Sequence, residues 1–160
     1  KHARFDAKSR SYEYKIWLGR NPFLLDFSWQ IHSQNLDLNL MNEAAKLLLE
    51  YTDFQTFSKV KTDVYTYNCN VTEAVWKQVN NELIFYITAN RFLRNMVRAI
   101  VGTLVDVGLG KISKEDFRKI IESKNRSNAG LSVPAKGYCV YYIISYSSSY
   151  KPNINKRNSR

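Results

Sequence analysis

The chain has 160 residues, with 24 Lys+Arg against 14 Asp+Glu, for a formal charge of +10. That length suits one globular domain with its own core, and 44% hydrophobic and 14% aromatic residues exclude a disordered chain. No apolar run approaches the roughly 18 residues of a membrane-spanning helix, and the opening KHARFDAKSR carries neither an initiator Met nor a secretory signal pattern. Two cysteines, Cys69 and Cys139, are too few for a disulfide scaffold or metal cluster and read as buried apolar residues of a reducing compartment.

In chain order, Ser9 to Leu18 alternates, with Tyr12, Tyr14, Ile16 and Leu18 on one face, which predicts a strand. Asn21-Pro22 ends it, and 27–31 is a short strand candidate. Asp37 or Asn39 can cap a helix that buries Leu40, Met41, Ala44, Ala45, Leu47 and Leu48. Residues 53–61 read as a loop anchored by Phe54 and Phe57. Thr66 to Val79 and Leu83 to Asn90 predict a hairpin turning at Asn80-Asn81-Glu82. Arg91 to Val107 has apolar pairs at 92/93, 96/97, 100/101 and 104/105, a helical stripe closed by Gly108 and Gly110. Ser113 and Asp116 form a capping box for a second helix through Ile121. A loop over 125–136 then leads to the β-branched and aromatic strand Tyr138 to Tyr146. Residues 148–160 are polar and basic and read as a disordered tail. The order β-β-α-β-β-α-α-β, rich in hairpins, predicts an α+β domain with a mainly antiparallel sheet covered by helices.

The charge is uneven. Residues 1–20 carry net +4, 21–90 net −4, 91–146 net +6 and 147–160 net +4. An acidic middle between basic segments fits a polyanion-facing side, although a basic chain can also be merely soluble. Phosphate-loop, dinucleotide, zinc-protease, Cys-x-x-Cys and nucleophile-elbow motifs are all missing. His2 and His32 have no acid or nucleophile at motif spacing, which argues against metal ligation or a His-based triad. Arg91, Arg94 and Arg98 are spaced i, i+3, i+7, so on one helix they share a face with Gly102. That row can be a solvated basic face, or it can contact phosphate or a buried carboxylate. A glycine beside it implies a close-packed neighbour. Tyr12 and Tyr14 can stack on bases or belong to the core, and Arg4, Lys8 and Arg10 interleave with Phe5 and Tyr12.

Several blocks carry a resemblance: HARFDAKSRSYEY (2–14), DFQTFSK (53–59), ITANRFLRNMVRAIVGTLVDVG (87–108), KISKEDF (111–117) and SKNRSNAGLSVPAKG (123–137). In order and spacing they resemble the C-terminal half of the tRNA pseudouridine synthase A (TruA) family, over residues 1–147. The resemblance implies the pseudouridine synthase fold and an isomerase that converts uridine to pseudouridine in the anticodon arm of tRNA. It implies no metal or organic cofactor, a homodimer with tRNA across both subunits, no membrane and a cytoplasmic location. The family's nucleophile is an aspartate in G-R-T-D-x-G-V-H-A, a motif this sequence does not contain. The 160 residues are therefore expected to be inactive alone. By resemblance, Tyr12 stacks on the flipped base and Arg98 pairs with the catalytic aspartate, keeping it ionised and oriented. Tyr138 stands where the family has a pocket-lining Leu, and Arg10, Arg91 and Arg94 are candidate RNA contacts. The alternative is a non-catalytic RNA-binding or dimerisation module of the same fold.

Overall fold

The computed structural model describes residues 8–18, 29–31, 36–60, 63–135 and 138–144. The strands are β1 (Lys8–Leu18), β2 (Trp29–Ile31), β3 (Val71–Val79), β4 (Glu82–Ala89) and β5 (Tyr138–Ile144). The helices are α1 (Leu38–Lys46), α2 (Met96–Gly108) and α3 (Lys114–Ser123). The predicted tail, His2, His32, Phe5 and the side chains of Cys139 and Tyr138 lie outside the described residues.

β1 is the hub of the sheet. It runs antiparallel to β4 from Arg10↔Ala89 to Trp17↔Glu82. Its other edge is shared: β5 pairs antiparallel along Lys8–Tyr14, and β2 pairs parallel along Ile16–Leu18. β4 in turn pairs with β3, giving the order β2-β1-β4-β3 with β5 beside β1. The predicted α+β class with a mainly antiparallel sheet is the one observed.

Alternation puts Tyr14, Phe85 and Trp76 in one row across β1, β4 and β3. All three are buried, as are Ile16, Leu83 and Ile87 beside them. α1 and α2 cover this face. Asp37 caps α1 by accepting from the Leu40 amide, one of the two capping residues predicted. Asn42 of α1 clamps the β3 edge in both directions: its Oδ1 accepts from the Trp76 amide and its Nδ2 donates to the Trp76 carbonyl. A covered edge cannot pair with another chain. The capping box of Ser113 and Asp116 forms as predicted. Asn80 takes the left-handed conformation at the hairpin turn (φ 56°). Among the described residues, no helix is long and apolar enough to cross a membrane.

Two predicted boundaries move, and both moves shape the site. β3 begins at Val71, not Thr66, because the chain before it pairs elsewhere. The Cys69 amide donates to the Thr52 carbonyl and the Phe54 amide to the Tyr67 carbonyl. The second helix begins at Met96, not Arg91. Asn95 stands at φ 68° in the left-handed region, where an α-helix cannot continue and which Asn tolerates better than most residues. Residues 91–95 are thus a link that turns the chain from β4 into α2. Leu93 is buried there, and its carbonyl accepts from the Met96 amide.

α2 is buried almost all round, with only Arg98 and Asp106 keeping partial exposure. Gly102 lies between them at i+4. A Cβ added at Gly102 would stand 1.8 Å from the Leu131 carbonyl oxygen. The close-packed neighbour expected from the sequence is therefore the 130–134 backbone. Alanine normally gains about 1 kcal/mol over glycine inside a helix. Here that gain is overwhelmed, and Gly102→Ala is expected to destabilise the protein by about 1–3 kcal/mol, the usual cost of overpacking. A lowered midpoint in denaturant unfolding checks this.

Candidate functional site

The site is built where residues 130–135 cross α2. Four hydrogen bonds to α2 and β1 seat this segment. The Val133 amide donates to the Arg98 carbonyl (3.2 Å) and Arg98 Nε donates to the Val133 carbonyl (2.7 Å). The Gly130 amide donates to Thr103 Oγ1 (2.9 Å). The Tyr14 hydroxyl, reaching up from β1, donates to the Pro134 carbonyl. Burial pushes the Tyr14 phenol well above its ordinary range, and the Arg98 charge only partly offsets this. Tyr14 therefore stays a neutral donor at any physiological pH.

Beside this crossing lies a cleft of about 310 Å³, lined by Lys59, Arg94, Asn95, Arg98 and Ala135. Among the described residues its lining carries three cations and no carboxylate. Nε holds Arg98 in place through the Val133 carbonyl, so the amino-group edge of the guanidinium is the part that can meet an anion. Lys59 is brought in by its amide, which donates to the Arg94 carbonyl (3.0 Å). Asn95 Nδ2 donates to Ser132 Oγ, closing one wall. An electropositive cleft of this kind can bind and orient a carboxylate or phosphate and keep it ionised.

The predicted site residues do not all gather here. Arg94 and Arg98 share the cleft, but Arg91, Arg94 and Arg98 do not form a row on one helix. The left-handed Asn95 puts Arg91 and Arg94 on the preceding link. Arg91 turns toward the loop before β3, where one amino group donates to the carbonyls of Thr66 (3.0 Å) and Asn68 (2.7 Å). Tyr12 is half-buried on the same strand face as Tyr14 and packs edge-to-face on Phe92, 4.7 Å between centroids and 76° between planes. It is not among the residues lining the Arg98 cleft. Arg10 is exposed at the open end of that same face, its Cα opposite Ala89 and Tyr142. Tyr138 is aligned with Tyr14 across the β1–β5 pair. Among the described residues no group of three or more His, Cys, Asp or Glu is placed to hold a metal. Cys69 is buried, and burial raises its thiol pKa, so it is not a poised nucleophile.

The tRNA pseudouridine synthase family model matches residues 44–144, which spans the hairpin, α2, α3 and the Arg98 cleft. The chain belongs to that family. A tRNA pseudouridine synthase A from Porphyromonas gingivalis is 54% identical over 145 residues, covering 89% of this chain and 57% of the relative. One from Bacteroides fragilis is 53% identical over 134 residues, covering 83% and 53%. One from Bacillus licheniformis is 40% identical over 144 residues, covering 89% and 58%. The chain thus spans about half the length of the curated relatives it matches.

Within this member of the tRNA pseudouridine synthase family, the reading of the sequence missed two contributors. Lys59 enters the cleft from the DFQTFSK block, which carries the family resemblance but from which the sequence singles out no site residue. Tyr14 was grouped with Tyr12 by alternation, and its distinct duty depends on a contact 120 positions away. Tyr14→Phe keeps the ring and removes the donor to a buried carbonyl. It is expected to cost about 1–3 kcal/mol and to speed proteolytic cutting within 130–135, read by limited digestion with mass spectrometry.

Proposed function

We propose that this chain forms the C-terminal part of a tRNA pseudouridine synthase, isomerising uridine to pseudouridine in the anticodon arm of tRNA. The observation that carries the reading is Arg98, fixed through Nε to the Val133 carbonyl in a cleft whose described lining residues include three cations and no carboxylate. The arrangement awaits an acid supplied from elsewhere. The aspartate of a G-R-T-D-x-G-V-H-A segment, which these 160 residues do not contain, is the group the cleft suits.

The reaction detaches uracil from C1′, rotates it and rejoins it through C5, so the base must leave the stack and enter a closed pocket. In this reading Arg98 keeps the incoming aspartate ionised and aimed at the ribose or the base. Tyr12, steadied edge-on by Phe92, supplies the aromatic face on which the flipped uracil stacks. Arg10 and Arg94, both exposed beside these groups, and Arg91 contact the RNA. Tyr138 serves as an apolar wall. Residues 1–147 act as one unit, and 148–160 form a basic tail that adds RNA affinity. Two copies assemble with tRNA across both, and the work is done in the cytoplasm without metal or organic cofactor.

Two results test this. The 160 residues alone give no pseudouridine on a uridine-containing tRNA transcript, whereas a chain extended to include the aspartate segment does. In that longer chain Arg98→Ala lowers turnover on the order of 10²–10³-fold, the scale expected for losing one preorganised charge partner. Tritium release from C5-labelled uridine reads both. Unchanged turnover in Arg98→Ala would favour an RNA-binding or dimerisation module instead.

A further inference from the structure

A second cleft, of about 460 Å³, adjoins the first. Lys59 lines both, so they meet along one side chain. The second is walled by Lys59, Tyr67, Lys124, Asn125, Arg126 and Ser127, with no carboxylate among its described lining residues.

Hydrogen bonds and one ion pair hold these walls in position. Arg126 donates to the Gly130 carbonyl (3.1 Å) and Ser132 Oγ (3.0 Å), both neutral acceptors. Ser132 Oγ also receives the Asn95 amide from the first cleft, so one hydroxyl ties the two together. Lys124 ends α3 in the left-handed conformation (φ 54°), and its Nζ lies 3.5 Å from Asp53 Oδ2, an exposed pair of little strength. Tyr67 is half-buried, its carbonyl held by the Phe54 amide. Arg91 fixes the carbonyls on either side of it, those of Thr66 and Asn68. Three cations beside an aromatic ring, with amide and hydroxyl groups between, are what a single nucleic-acid strand meets on a protein: charges for the backbone and a π-face for a base.

We propose that the Lys59–Lys124–Arg126 cleft is a phosphodiester subsite for the RNA strand flanking the target uridine, with Tyr67 beside the neighbouring base. The proposal rests on the reading of the Arg98 cleft as the uridine site. Its consequence is that a flipped nucleotide is held from one side by a phosphate one cleft away, so that binding energy outside the reacting base positions the base.

The test is RNA binding by the chain as a function of salt, using an anticodon stem-loop RNA and fluorescence anisotropy. Lys59→Gln and Lys124→Asn remove one charge each, and Asn suits the left-handed backbone at 124. Each is expected to reduce the magnitude of the slope of log K against log salt by about 0.7 per lost single-strand contact. Lys46→Gln, at the end of α1, is expected to leave the slope unchanged. Circular dichroism melting confirms that the variants fold. Unchanged slopes in Lys59→Gln and Lys124→Asn, or an equal fall in Lys46→Gln, would overturn the subsite. So would tight binding of inorganic phosphate alone with no effect of the variants on RNA. Failure of the unmodified chain to bind RNA would overturn it too. If the extended chain makes no pseudouridine while the slopes fall as described, the uridine reading fails and the phosphate subsite stands.

Discussion

The crossing of residues 130–134 over α2 is the constraint on which the site depends. Backbone meets helix there at a distance only glycine permits, with Gly102 below and Gly130 above. A Cβ on Gly130 would itself stand 3.2 Å from the Gly102 carbonyl oxygen and 2.8 Å from Asp106 Oδ2. This closeness lets Arg98 exchange two bonds with Val133, one from its backbone and one from its side chain. An arginine is needed because one edge of its guanidinium can bind a carbonyl while the other stays aimed into the cleft. A lysine is a point charge on a flexible stem and cannot divide its duties in this way. Tyr14 secures the same segment from the sheet side, so the wall of the cleft is pinned to both layers of the fold.

Charge follows from this arrangement. Cations from three separate connections meet in one region: Arg94 from the 91–95 link, Lys59 from the DFQTFSK turn, and Lys124 and Arg126 from the end of α3. Lys59 is tied to the region by its amide, which donates to the Arg94 carbonyl. Among the described residues, the clefts on either side of it have no carboxylate in their linings. A place this positive favours the ionised form of a carboxylate and attracts phosphate with strong dependence on salt.

Much of this was legible from residue order. Alternation in β1 and β4, the Asp37 cap, the capping box at Ser113 and the Asn80 turn all use local chemistry, and all form. Gly102 announced a close neighbour without saying which. What could not be read was set by distant contacts. The apolar stripe over 91–107 is helical in period, yet a left-handed Asn95 divides it, because the chain must first turn off β4 and bury Leu93. The Arg row dissolved for that reason. Residues 66–70 have strand-like composition but pair with 52–54. Tyr12 and Tyr14 look alike in sequence, and only the fold separates a half-buried ring on Phe92 from a buried donor on Pro134. The family motifs survived these shifts because they record side chains that the tertiary structure brings together.

We propose that the Arg98 cleft receives a carboxylate from a segment bearing the aspartate motif. The most direct measurement is a crystal structure of a chain extended to carry that segment. The account predicts an ion pair at about 2.7–2.9 Å between an Arg98 amino group and the aspartate, with Arg98 Nε still on the Val133 carbonyl. An aspartate seated elsewhere, or an Arg98 turned out of the cleft, would contradict it.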